Sequence, residues 1–427
     1  MSLRTDGRMS GRRILITGIS SPWGGRLAQR LEHDPRVETL VGIDTAEPRH
    51  ELHHTEFLRL EMDPALLQRI LAAASIDTVI DTRLIHDSAL ASLTAAREIN
   101  VTDTRNLLAA CAAPDSPVRK VVFKSSADWY GADAHGPMFL TEQMERHSAP
   151  RDALERDIVD AEAVVAEFAA ARPRVSVAVV RFAETIGAEL RSALQTLLGL
   201  PVIPAILGFD PRCQFIHHDD AVAVLAHAAL GELDGVVNAG ADGVLALSEV
   251  CSLLGKPLLP VLPPWGTVFA AAGLRRLGLG VPVELVRLLR TGRGLDNRRL
   301  KASGFAFRYT TREAVLKLRA HQRLRPLLGS GDGGYRYERE VEEFLRRSPS
   351  VRPSGSARRH GEPPAEGAYA DLPEGELIEL IGSLEVPALE RLQAIEQAQG
   401  CRPAVLEALE RTFARRAPLT PGGGGAG

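Results

Sequence analysis

The stretch RILITGISSPWGG, residues 13–25, constrains the fold more than any other part of this 427-residue chain. A short β-branched apolar run enters a glycine-rich turn and passes at once into a helical pattern that begins near Arg26. Strand, tight turn and helix open a βαβ unit. The pattern recurs as far as Leu230 in ETLVGID, DTVID, KVVFKSS and VSVAVVRF, with longer helical stretches between them. Such alternation predicts an α/β protein whose parallel sheet is covered by helices on both faces.

Within the first turn, Gly18 and Gly24 have the spacing of the outer glycines of a phosphate-binding GxxGxxG turn, which makes the expected sheet Rossmann-like and doubly wound. Gly18 permits the tight turn, and Gly24 lets helix and strand approach while the helix N-terminus faces a pyrophosphate. Ser20, Ser21 and Trp23 fill the turn, with Ser21 at the middle glycine position. The second strand ends in Asp44, where an acid accepts from the adenosine ribose hydroxyls of NAD and repels the 2′-phosphate of NADP. The third strand is expected to end at Glu61 and Met62, beside the adenine ring.

Residues 1–12 are expected to be flexible, 13–230 to form the dinucleotide-binding domain and 231–347 a smaller substrate region. Residues 348–368 are rich in Pro, Ser, Gly and Arg and read as a disordered linker. Residues 369–417 read as a small helical domain, and 418–427 as a disordered tail. The helical unit suits a docking surface or a homodimer contact. A net charge of −3 with 5% aromatic residues disfavours nucleic acid as a partner. Four widely spaced cysteines with no CxxC pair suggest neither a disulfide framework nor a zinc knuckle, and a cytoplasmic location is expected. Neither a secretion signal nor a membrane span is read from the sequence.

Six ordered segments give the chain a family resemblance. TGISSPWGG, INVTDTRNLLAAC, VVFKSSADWYG, VVRFAETIG, QFIHHDDAVAVL and FAFRYTTREAV resemble the successive motifs of the extended short-chain dehydrogenase/reductases, the NAD-dependent epimerase/dehydratase family. The resemblance implies NAD as cofactor and a nucleotide sugar or related alcohol as substrate, with Ser126 in the serine position. It puts Arg181, in VVRFAETIG, with the substrate; independently of it, Arg212, just before the HHDD run, is a candidate to hold an anionic substrate group.

The departures bear on chemistry. In the family a tyrosine of a YxxxK motif moves the alcohol proton while hydride passes to or from nicotinamide. Here the equivalent positions are Leu154 and Ile158, and no Tyr or Lys occurs between Gly131 and Pro173. The turn after the fourth strand is also altered: Asp81-Thr82-Arg83-Leu84 puts Arg83 where a small residue normally faces the cofactor, with Thr82 beside it. Two readings of Lys124 and Tyr130 stay open. They form a relocated Tyr/Lys pair beside Ser126, or Tyr130 is a non-catalytic loop tyrosine and Lys124 a strand-end charge; the second is favoured. An inactive NAD-liganded protein that recruits a partner or a membrane surface is therefore the alternative to an oxidoreductase.

His217, His218, Asp219 and Asp220 look like a metal cluster, but successive residues of one helix start cannot converge on an ion, and no metal is expected. The acids there suit the positive end of the helix dipole. Trp265–Lys301 carries eight basic residues against two acids, a local +6; a substrate-domain helix pair with a solvated arginine face is the favoured reading, and an anionic ligand or a peripheral membrane contact the alternative.

Overall fold

The computed structural model describes residues 11–131, 137, 139–146, 148–262, 289, 292, 294–324, 381, 389, 392–394, 396–397 and 402–416. Seven strands form one parallel sheet: β1 (Arg12–Thr17), β2 (Val37–Asp44), β3 (Thr55–Arg59), β4 (Thr78–Asp81), β5 (Lys120–Ser126), β6 (Ser176–Phe182) and β7 (Gly235–Ala239). Their order is β7-β6-β5-β4-β1-β2-β3. The chain runs outward from β1 to β3, returns to β4 beside β1, and runs outward again. The order reverses between β1 and β4, so a crevice opens there at the carboxyl ends of the strands.

Among the described residues, the α-helices that go with this sheet are α1 (Pro22–Leu31), α2 (Pro64–Ala73), α3 (Leu93–Arg97), α4 (Asp103–Cys111), α5 (Ala153–Ala171), α6 (Ala193–Gly199), α7 (His218–Leu230), α8 (Leu247–Leu254), α9 (Arg298–Ala302) and α10 (Thr311–Leu324). Local chemistry starts the first two. Ser21 caps α1 by accepting from the Gly24 N–H, Asp63 caps α2 by accepting from Leu66, and a proline follows each cap where its missing N–H costs nothing.

Strand alternation decides which helices each side chain meets. Val122, Ala178, Val180 and Phe182 pack with Trp23, Leu27 and Leu31 of α1 and with Ala221, Val224 and Leu225 of α7. Val121, Phe123, Val177 and Val179 point the other way, against Leu67 and Leu71 of α2, Leu107 and Leu108 of α4, and Ile158 and Val165 of α5. A fully buried Leu or Ile on either face contributes about 1.5–3 kcal/mol.

Two expected boundaries move. β3 ends at Arg59, not at Glu61–Met62, because the Asp63 cap begins α2 there; Met62 turns into the core while Glu61 stays exposed. Residue 230 does not separate two lobes. β7 lies beyond it yet forms the sheet edge, whereas Ile186, Leu194, Leu197, Ile203 and Phe215 lie before it and build a second core with α8 and α10.

Residues 1–329 make one compact unit and 330–427 another. In the second unit Ile381, Leu389, Leu392, Val405 and Leu409 are buried together, and the helix α11 (Pro403–Arg416) begins at a proline. Most of 1–12, the linker 348–368, the tail 418–427 and most of the basic stretch, including Arg275, Arg276, Arg287, Arg290 and Arg293, lie outside the described residues. In the described end of that stretch, Arg298 pairs with Asp296, Arg299 donates to the Asp234 carbonyl and Lys301 pairs with Asp242.

Candidate active site

The glycine turn sits at the crevice. Gly18 has φ +80°, a left-handed conformation that L side chains resist, and a Cβ there would lie 2.7 Å from Arg83 Cγ. At Gly24 a Cβ would lie 2.2 Å from the Gly18 carbonyl oxygen, so only glycine lets α1 press on the turn. Ser21 Oγ donates to the Gly18 carbonyl at 2.7 Å and accepts from the Gly24 N–H at 3.1 Å. The Asp44 carboxylate accepts from the Ser20 N–H at 2.9 Å and the Thr45 N–H at 2.7 Å. Two backbone donors fix this carboxylate and leave it acceptor capacity for a ribose diol. Turn, helix N-terminus and acid thus fit a dinucleotide.

Arg83 closes one side of the turn. Its guanidinium donates to Asp81 at 2.8 and 2.9 Å and reaches Asp103 at 3.3 Å, with only 9% of the side chain exposed. Burial pushes the Asp81 carboxyl up, but the charge and hydrogen bonds of Arg83, with Thr17, bring it below the ordinary carboxylate value. Thr82 donates to the Thr17 carbonyl at 2.7 Å and so ties β4 to β1.

Beyond the turn, a pocket partly open to solvent lies over the ends of β5 and β6. Trp23, His86, Lys124, Ser126, Asp128 and Arg212 are among its lining residues. The Trp23 ring meets Phe182 and His218 edge-on, at 5.1 and 5.5 Å between centroids. Lys124 Nζ lies 4.7 Å from the Trp23 ring centre and donates to the Leu84 carbonyl at 2.8 Å. Burial lowers the Lys124 pKa to about 8, against a smaller opposing pull from Asp81. Burial, then the charge of Lys124, holds His86 below its ordinary value. Ser126 Oγ donates to Asp128 at 3.0 Å and accepts from the Asp128 N–H at 3.1 Å.

The structure separates the other sequence-predicted residues from this pocket. The Tyr130 hydroxyl donates to Asn238 at 2.9 Å, its ring lies 4.6 Å from the Arg181 guanidinium, and it makes no hydrogen bond with Lys124. Arg181, expected at the substrate, is instead paired with Glu162 of α5 at 2.6 Å and lies 3.4 Å over Trp129. Register explains this: Ser125 opposes Arg181 and Ser126 opposes Phe182, so Ser125 and Arg181 face Glu162 while Ser126 and Phe182 face the pocket. Leu154 and Ile158 are each 1% exposed in α5, and the helix offers no phenol or amine at those positions. Sequence reasoning passed over His86 and Asp128, although His86 stands three residues beyond Arg83 and Asp128 two beyond Ser126, both of which it had singled out.

His217 and His218 start α7, and Asp220 accepts from the Arg308 and Tyr309 N–H groups, at 3.1 and 2.9 Å. No group of three or more His, Cys, Asp or Glu able to hold a metal occurs among the described residues. Burial pushes the Cys111 and Cys213 thiols up to about 12 and Cys251 to about 11, so none is a nucleophile near neutral pH.

This arrangement, a doubly wound sheet with a glycine turn at its reversal point and a pocket lined by Lys124 and Ser126 over β5, is that of a dinucleotide-binding type of α/β protein. The chain belongs to the NAD dependent epimerase/dehydratase family, whose model matches residues 14–240. An uncharacterized protein of Mycobacterium tuberculosis, Rv0501, is 30% identical over 309 residues, covering 70% of this chain and 81% of its own. Among solved structures, MoeE5 in complex with UDP-glucuronic acid and NAD is 20% identical with a TM-score of 0.55, over 73% of this chain and 99% of its own. A putative epimerase from Burkholderia cenocepacia is 18% identical with a TM-score of 0.57, over 74% of this chain and 100% of its own. These likenesses share the fold.

Proposed function

We propose that the chain binds NAD at the Gly18–Gly24 turn and Asp44, and oxidises an alcohol carbon of a nucleotide sugar or related compound in the adjoining pocket. The observation that carries this reading is the single pocket that places Ser126, Lys124 and Arg212 together and shares Trp23 with the glycine turn. The bound dinucleotide supplies a hydride acceptor. The chain's own residues do the rest. Ser126 Oγ hydrogen-bonds the reacting hydroxyl once its bond to Asp128 opens, and the exposed Arg212 meets a diphosphate at the pocket wall. Nucleotide sugars suit this reading because MoeE5 is bound to UDP-glucuronic acid in one structure and to UDP-glucose in another, each time with NAD.

The buried Leu154 and Ile158 favour a second reading, an NAD-liganded protein without turnover. In that reading the C-terminal helices or the basic stretch 265–301 recruits a partner, or a membrane surface. No helix among the described residues is long and apolar enough to cross a membrane. One experiment separates the two: the nucleotide content of the purified protein, followed by absorbance at 340 nm on adding UDP-glucose or UDP-glucuronic acid. A rise supports the oxidoreductase; bound NAD that no alcohol reduces supports the inert protein.

A further inference from the structure

We infer that Lys124 is the proton carrier of the pocket, taking the hydroxyl proton from an alcohol held at Ser126 and returning it in the reverse step. The inference rests on the oxidoreductase reading above. Lys124 and Ser126 stand two apart on β5 and line the same pocket, which puts their Cα atoms roughly 6.6 Å apart. The amine of a four-carbon side chain spans that distance easily. Lysine is scarce here: of 51 basic Lys and Arg residues only five are lysines, at 120, 124, 256, 301 and 317. Arginine, always charged, cannot exchange a proton near neutral pH, whereas a buried lysine can.

The surroundings of Lys124 are those of an exchangeable proton and not of a structural ion pair. An ammonium has three donors, and the Leu84 carbonyl accepts one, which leaves two for an occupant of the pocket. Neither facing carboxylate is hydrogen-bonded to Lys124: Asp81 of β4 holds Arg83, and Asp128 accepts from Ser126. His86, from the turn after β4, and Arg212 line the same pocket and disfavour a second positive charge. Glu184 is the remaining acid on its wall. The Trp23 face at 4.7 Å tolerates the ammonium form while burial favours the amine. Both forms are therefore within reach near pH 8.

The step balances. The O–H bond of the alcohol breaks and its proton goes to the neutral amine of Lys124, giving ammonium. The adjacent C–H bond breaks with its electron pair, hydride passes to a nicotinamide acceptor, and the carbonyl forms. Run backwards, Lys124 returns the proton to the oxygen.

The test uses the full chain and three readouts. NMR of 15N-lysine-labelled protein, with five side-chain signals and Lys124 assigned by its loss in Lys124→Arg, should give Lys124 a pKa within about one unit of 8; a value above 10 overturns the inference. Lys124→Met should raise the thermal midpoint at pH 7, because it removes a buried charge, and should leave NAD affinity within about threefold. A structural lysine would give a fall. With UDP-glucose or UDP-glucuronic acid, Lys124→Met and Lys124→Arg should each lose at least 100-fold in kcat for NAD reduction. Wild-type turnover matched by both variants overturns the role of Lys124 alone. Wild-type protein that binds NAD but is reduced by neither sugar overturns the oxidoreductase reading, and this role with it.

Discussion

Replacing Arg181 should cost the fold several kcal/mol and leave the pocket almost untouched. The guanidinium is 3% exposed and meets Glu162 through Nε at 3.0 and 3.2 Å and Nη2 at 2.6 Å, while its plane covers Trp129 at 3.4 Å. Burial pulls the Arg181 pKa down, and Glu162 more than restores it. In Arg181→Met the Glu162 carboxylate keeps its bond from Ser125 but loses its buried countercharge. Breaking such a pair costs about 3–5 kcal/mol. At roughly 2–4 °C per kcal/mol, the thermal midpoint should fall by about 6–20 °C. Arg181→Met with Glu162→Leu removes both charges and should recover most of that loss, so a double-mutant cycle on midpoints isolates the coupling. Affinity for NAD should stay within about threefold in all three variants, because Arg181 faces α5 and not the pocket. Strictly additive midpoint shifts, or a tenfold loss of NAD affinity in Arg181→Met alone, would refute the assignment of this arginine to the structure.

Asp44→Ala should weaken NAD by at least tenfold in a calorimetric titration, since a hydrogen bond to a charged acceptor contributes about 1.5–3 kcal/mol; equal affinities would remove Asp44 from the site. Gly24→Ala should weaken NAD by more than tenfold or unfold the protein, because its Cβ would stand 2.2 Å from the Gly18 carbonyl oxygen, and an unchanged protein by circular dichroism and titration would contradict that packing. His218 is held neutral by burial, with its pKa lowered to about 4, and its buried Nε2 has no hydrogen-bond partner. Because the unfolded chain binds this proton first, His218 should reduce stability as pH falls from about 6.5 toward 4, with a slope of up to ~1.4 kcal/mol per unit. Urea unfolding of His218→Phe across that range should show a shallower fall, and identical slopes would count against it.

Sheet, turn and acid were legible in the sequence because each rests on local chemistry: β-branched runs for strands, Gly18 for a positive φ, Asp44 at a strand end. The interior of the pocket was less so. The family resemblance put Arg181 with the substrate, yet the pairing of Ser125 with Arg181 turns it toward Glu162, and that register is a long-range property. For Tyr130 two readings stayed open, because the partner of its hydroxyl, Asn238, which accepts a hydrogen bond from it, lies more than a hundred residues on. His86 and Asp128 were passed over because neither belongs to a familiar spacing; only the return of the chain to β4 and β5 brings them to one wall. The division at residue 230 failed because β7 is added to the sheet after the smaller core has begun.

The central claim is that the Gly18–Gly24 turn and Asp44 form a working dinucleotide site beside the Ser126 pocket. Titration of the nucleotide-free full chain with NAD and, separately, with NADP by isothermal calorimetry tests it most directly. The account predicts one NAD per chain and an affinity for NADP at least tenfold weaker, because Asp44 repels the 2′-phosphate. Absence of NAD binding, or tighter binding of NADP, would contradict it.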